Sequence, residues 1–331
     1  MSGKALKILA AGSPILDILV NVDDAFIQSV VGGSKGGMEL VSSERLEEIL
    51  SRIKTGKTKA PGGSAGNTIF GLAKLGLPVS FLGKIGRDED GDFYKNRLSS
   101  LNGDICSFRY ADNIHTGRCL SLVTPDSERT MRTDLGAAAM LGPDEINESD
   151  FSGISHVHVE GYMLYAEPLC MKVLSEAKKA GATVSLDLAS FEVVRNKKSI
   201  LPELLKNYID IIFANEDEAG EFSGSSSPEE ALKLLSDYSH TVAVKLGKKG
   251  ALLKSGNSSA KVNAELVKAV DTTGAGDLWQ TGFLYGFLQG MPLEVCGKIG
   301  SILGAEVVQV MGAEIPDERW NAIFGRLKQI K

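Results

Sequence analysis

Short, largely apolar runs recur at 8–11, 79–82, 156–159, 183–186, 209–213 and 241–244. Such runs suit strands covered on both faces, as in a parallel sheet. Between them the apolar spacing becomes helical, over 168–180, 201–207 and 228–238, and each stretch closes near Gly, Asn or another turn residue. Strand and helix in alternation predict repeated βαβ units, hence an α/β fold with a doubly wound, mostly parallel sheet. Two regions leave that rhythm. Residues 15–41 alternate apolar and polar with glycines at 32, 33, 36 and 37, and residues 107–132 have the pattern of antiparallel hairpins. They predict a small strand-rich lid formed by two insertions within one domain spanning 1–331. The run Gly32–Gly37 suits either a mobile turn of that lid or a plain surface loop.

A chain of 331 residues with 43% hydrophobic composition can bury a sizeable core. Its net charge of -6, with no basic run longer than Arg195-Asn196-Lys197-Lys198, gives no footprint for nucleic acid or an anionic membrane. Small-molecule partners are expected instead. Cys106, Cys119, Cys170 and Cys296 form no Cys-x-x-Cys pair, so they read as reduced core thiols. The apolar start from Lys4 to Ala11 is too short for a signal peptide, and no run approaches the roughly 20 residues that span a bilayer. A cytoplasmic protein is the expectation, and the sequence leaves monomer and homodimer equally open.

The segment Asp271-Thr272-Thr273-Gly274-Ala275-Gly276-Asp277 carries the chemistry. Residues 268–271 read as a strand end, and Leu278, Thr281, Phe283, Leu284, Tyr285, Phe287 and Leu288 follow as an apolar run of helical length. A helix opening on such a turn leaves N–H groups of Gly274, Ala275 and Gly276 without intrahelical partners and adds positive potential, so an anion fits there. Asp277 is then either a helix cap or a carboxylate that orients an acceptor hydroxyl and takes its proton while the amides neutralise a moving phosphoryl group. The glycine-flanked context favours the second reading.

A second glycine cluster, Gly62-Gly63-Ser64-Ala65-Gly66-Asn67, opens a helix that runs through Leu75 and stops at Gly76. With both clusters in this order, the chain resembles the ribokinase-like (PfkB-type) family of carbohydrate and nucleoside kinases over essentially its whole length. The resemblance implies magnesium-dependent transfer of the γ-phosphoryl group of ATP to a hydroxymethyl group of a sugar or nucleoside. It makes Asp277 the base and the amides of Gly274, Ala275 and Gly276 the anion hole. It also makes Asp17, Gly63 and Asn67 contacts for acceptor hydroxyls, beside Ser13 and Ser64.

Asn215-Glu216-Asp217-Glu218 matches the family's Asn-x-x-Glu motif on the magnesium–phosphate side, acting through ordered water. In Lys245-Leu246-Gly247-Lys248-Lys249-Gly250 the two glycines match the nucleotide loop, and Lys245 replaces the usual hydroxyl residue as a candidate phosphate contact. Asp271, Thr273 and the backbone near Gly312 lie where many relatives bind a monovalent cation, which brings in potassium. The stretch from Gly12 to Asp17, Gly63-Ser64 with Asn67, and Thr116-Gly117-Arg118 look most like adenosine-kinase-type members, although Ser13 stands where asparagine is usual. Tyr162 is a candidate platform for an adenine base. A free sugar acceptor, or a non-catalytic binder on the same fold, remains the alternative. His156 and His158 alternate on one strand with no third ligand nearby and read as core residues. His115 and His240 fall in polar loops. No Gly-x-Gly-x-x-Gly follows the first strand, which sets a dinucleotide oxidoreductase aside.

Overall fold

The computed structural model describes residues 5–330 apart from 33, 34, 55 and 127. Lys4, and Gly33 of the glycine run, lie outside the described residues. The strands are β1 (Ile8–Ala11), β2 (Ile15–Asn21), β3 (Met38–Leu40), β4 (Thr58–Gly62), β5 (Val79–Gly86), β6 (Phe108–Ala111), β7 (Gly117–Val123), β8 (Arg129–Asp134), β9 (His156–Glu160), β10 (Thr183–Asp187), β11 (Ile211–Asn215), β12 (Thr241–Lys245), β13 (Ala251–Ser255) and β14 (Ser258–Val262). The large sheet has the order β14-β13-β12-β11-β10-β9-β1-β5-β6 and is parallel except at β13 and β14.

The apolar runs become strands covered on both faces. On one face Val157, Leu186, Ile212 and Val244 pack under helices Glu167–Lys179, Leu201–Tyr208 and Pro228–Leu235. On the other, Ile8, Phe81, Phe213 and Leu253 pack under helices Ser64–Lys74, Ala275–Leu288 and Leu293–Val307. The sheet is therefore doubly wound. β1 pairs with β5 on one side and β9 on the other, so the chain reverses direction around β1. The carboxyl ends of strands at such a switch point form a crevice that suits a ligand.

The second sheet, β3-β8-β7-β2-β4, is smaller. Ile18, Val20, Leu120 and Leu122 turn to the amphipathic helix Ser43–Arg52. With a period of two, Asp17 then faces away from that helix. Three expectations shift. Residues 58–62 add β4 to the small sheet, whereas residues 108–111 pair with β5 in the large one. Residues 24–31 coil helically, because Asp23 caps that turn by accepting from the Phe26 amide. Residues 268–271 form no strand, since Val270 and Asp271 donate to the carbonyl of Val308 rather than to a sheet neighbour.

Candidate active site

Asp277 is not a helix cap. The helix Ala275–Leu288 starts at Gly274, whose φ of 69° is left-handed and whose added Cβ would stand 2.5 Å from Ala313 Cβ. Asp277 lies three residues further on, with its carboxylate turned to the opposite wall. Its Oδ1 accepts from Ser64 Oγ at 2.8 Å and its Oδ2 from Asn67 Nδ2 at 2.8 Å. Helix Ser64–Lys74 thus fixes the acid, and Ser64 and Asn67 direct their donors to it. Burial and the charge of Asp187 raise the pKa of Asp277 to about 6, against the hydrogen bonds of Asn67 and Ser64 and the Lys245 charge. Of the three turn amides, that of Ala275 donates to Thr272 O at 3.2 Å.

Asp17 is buried on β2, and neither of its oxygens receives a hydrogen bond from a described residue. Its carboxylate crowds Gly62, where an added Cβ would stand 2.3 Å from Oδ1. Burial raises its pKa to about 7, opposed by Arg129 and reinforced by Asp277 and Asp271. Gly63, at φ 82°, lets the chain pass so near Ser13 that an added Cβ would be 2.2 Å from its carbonyl oxygen. Ser13 is held by its amide, which donates to Glu160 Oε1 at 2.8 Å, and Ala65 N donates to Glu160 Oε2 at 3.1 Å. Even with two such bonds, burial carries Glu160 to about 7.

Beyond the Gly274–Gly276 turn opens a cavity of about 240 Å³ lined by Lys245, Gly247, Gly250, Ala275, Gly276 and Trp279. Lys245 ends β12, and its ammonium donates to Asp187 Oδ1 at 3.2 Å. Asn215 and Glu218 close a capping box on the next strand end. Asn215 Nδ2 donates to Glu218 Oε1 at 2.7 Å, Asn215 N to Oε2 at 2.7 Å, and Glu218 N to Asn215 Oδ1 at 2.8 Å. Glu218 is buried and lifted to about 7, first by burial and then by Asp187. Asp271, Thr273 and Gly312 do meet: Asp271 Oδ1 accepts from Thr273 N at 2.9 Å and Oγ1 at 2.6 Å, and Oδ2 from Gly312 N at 2.8 Å. Arg129, from the small sheet, bonds Thr273 Oγ1 and lies 3.8 Å from Asp271.

Elsewhere the candidates disperse. His156 and His158 share the Ser185 hydroxyl at 2.9 and 2.8 Å inside the core, and burial holds both near pKa 3. Among the described residues no group of three or more His, Cys, Asp or Glu side chains is placed to hold a metal ion. His115 bonds Asp134 at 2.6 Å, and His240 lies against Gly256. Thr116 bonds Asp88 at 2.6 Å, while Arg118 pairs with Glu47 on the surface. Tyr162 is half-buried, and its phenol is pushed up first by desolvation and then by the charges of Glu160 and Asp187. All four cysteines are free, but Cys106 is exposed and so is not a core thiol. Among the described residues no helix is long and apolar enough to cross a membrane.

A model of the pfkB family of carbohydrate kinases matches residues 33–320. The chain belongs to that family. The adenosine kinase structure from Sinorhizobium meliloti superposes with a TM-score of 0.88 at 31% identity, over 98% of this chain and 100% of that one. An adenosine kinase of Dictyostelium discoideum is 26% identical over 94% of this chain and 97% of its own. A ribokinase of Arabidopsis thaliana is 29% identical over 88% of this chain and 79% of its own. The protein is a phosphotransferase with an alcohol group as acceptor, and ATP use is expected of this family.

Sequence reasoning missed Glu160, Asp187 and Arg129 in this kinase. The first two share a signal, a lone acid closing a buried strand: His-Val-His-Val-Glu160 and Thr-Val-Ser-Leu-Asp187. Arg129 had none, because only tertiary packing carries β8 to the turn. The raised carboxylates fix the sign of the pH dependence of stability. A folded-state pKa above the unfolded value near 4 contributes stability below that value, and the contribution is lost as pH climbs through the folded pKa, here about 6 to 7. Scanning calorimetry should therefore show Tm falling between about pH 5 and about pH 8. A Tm that rises across this window contradicts the buried-acid arrangement.

Proposed function

We propose that this kinase transfers the γ-phosphoryl group of ATP to a hydroxymethyl group of an adenosine-like nucleoside or of a sugar. One observation carries the reading: Asp277 directly follows Gly276 of the cavity lining, and its charge acts on the buried carboxyls of Asp17 and Glu160. An acceptor hydroxyl placed there gives its proton to Asp277 as its oxygen bonds the γ-phosphorus, while the bond to the β-phosphate oxygen breaks and ADP leaves with the electron pair. The amides of Gly274 and Gly276 face the moving charge. Lys245, Gly247 and Gly250 line the donor side. Asp17, buried with no donor among the described residues, accepts from acceptor hydroxyls beside Gly63 and Ser13. The small sheet then acts as a lid that excludes water.

Magnesium arriving with ATP supplies charge neutralisation of the phosphates. Asn215 and Glu218 fit it through its water shell, since their own bonds to each other fill the inner positions. Asp271 has both oxygens engaged in bracing the turn, so potassium would rely on backbone carbonyls near Gly312. The adenosine preference draws on the relatives named adenosine kinase, with Tyr162 as candidate base platform, and the ribokinase relative keeps a free sugar open. A non-catalytic binder has no use for a base tuned to about 6 beside an anion-receiving turn.

ADP release should appear in a screen of nucleosides and free sugars with ATP and magnesium, and silence across both classes overturns the reading. Asp277→Asn should keep acceptor affinity within about threefold and lose on the order of 10²–10⁴ in kcat. Turnover in the wild type should fall as pH drops below about 6, where Asp277 takes a proton. Asp17→Ala should weaken acceptor binding by about 10- to 100-fold with a smaller change in kcat, since a hydrogen bond to a charged group is worth about 1.5–3 kcal/mol. An unchanged acceptor KM makes Asp17 structural.

A further inference from the structure

The ion pair between Asp187 and Lys245 has no counterpart in the chemistry so far. Asp187 ends β10 and Lys245 ends β12, so the pair reaches across the intervening β11, where Phe213 is the sheet partner of Asp187 and Asn215 that of Lys245. The side chains are 7% and 12% exposed, and the cost of taking two charges out of water can exceed what a single contact at 3.2 Å returns, so such a pair is weak evidence of a stabilising role. The ammonium also lies 3.1 Å from the point where a Cβ on Gly276 would stand, on the turn that receives phosphate. A lysine carries its charge on a flexible stem. Without a fixed partner, this one has Glu218 and Asp277 within its field.

We infer that Asp187 is a positioning residue, holding the Lys245 ammonium against the Gly274–Gly276 turn so that it meets the transferred phosphoryl group as a fixed cation and stays off the Asp277 carboxylate. The inference rests on the kinase reading and names the charge that serves the donor phosphate. Lys245 keeps its protons throughout; the acceptor proton goes to Asp277 alone. The charged groups around Asp277 are Asp187 from β10, Lys245 from β12, Asp17 from β2 and Glu160 from β9. Removing either member of the pair therefore moves the titration of the base in opposite directions.

The test is a cycle of wild type, Asp187→Asn, Lys245→Met and the double variant. The double variant removes both members of the pair together, so neither is left without the other, which keeps the fold measurable if a single variant fails. Lys245→Met should lower kcat by about 10²-fold with acceptor KM within about threefold, and shift the acid limb of kcat/KM to higher pH. Asp187→Asn should lower kcat and shift that limb to lower pH. The double variant should be no slower than Lys245→Met, because Asp187 acts through the lysine. Losses that multiply in the double variant, or acid limbs that stay in place, overturn the inference. Affinity for a non-hydrolysable ATP analogue, read by calorimetry without turnover, should fall about tenfold in either single variant. If the wild type released no ADP with any acceptor, a fall in that affinity would still support the pair; analogue affinity equal to wild type in both variants would overturn it.

Discussion

The site depends on burying carboxylates that have too few cations to answer them. Asp17, Glu160, Asp187, Glu218 and Asp271 are all less than a tenth exposed, and Asp277 is half-buried among them. Against these stand Lys245, Arg129 and the positive end of one helix. Where desolvation wins, the acid is held near neutrality, as at Asp17, Glu160, Glu218 and Asp277. An acid near neutrality can accept a proton in the working pH range and release it again.

The fold makes that concentration of charge tolerable by limiting where it occurs. Glu160, Asp187, Asn215 and Lys245 are the last residues of β9, β10, β11 and β12, so these polar groups gather at the carboxyl ends of neighbouring strands. Around β1 the winding reverses, and the small sheet contributes Asp17 from β2 and Arg129 from β8. The helix Ser64–Lys74 ties the two halves together: its first turn bonds Glu160 through Ala65 and Asp277 through Ser64 and Asn67.

Much of this was legible in the sequence because its physical causes are local. Short, largely apolar runs gave the buried strands, and the glycine turn ahead of Leu278 gave the helix start at Gly274. The run at 209–213 became β11 two residues later, since Asn215 both ends the strand and caps the next helix. What stayed hidden is what distant packing decides. Nothing near Arg129 points to Thr273, 144 residues away, and nothing near Asp187 points to Lys245, 58 residues away. The membership of β4 in the small sheet and of β6 in the large one was likewise a matter of pairing between remote segments, which short strands do not encode.

The central claim is that Asp277 faces the acceptor hydroxyl across a turn that receives the phosphoryl group. A crystal structure with both a non-hydrolysable ATP analogue and the acceptor found by the screen tests it most directly. The account predicts an acceptor oxygen about 2.6–3.2 Å from an Asp277 oxygen, with the terminal phosphate on the Gly274–Gly276 amides. A terminal phosphate bound away from that turn, or an Asp277 carboxylate out of reach of every acceptor hydroxyl, would contradict it.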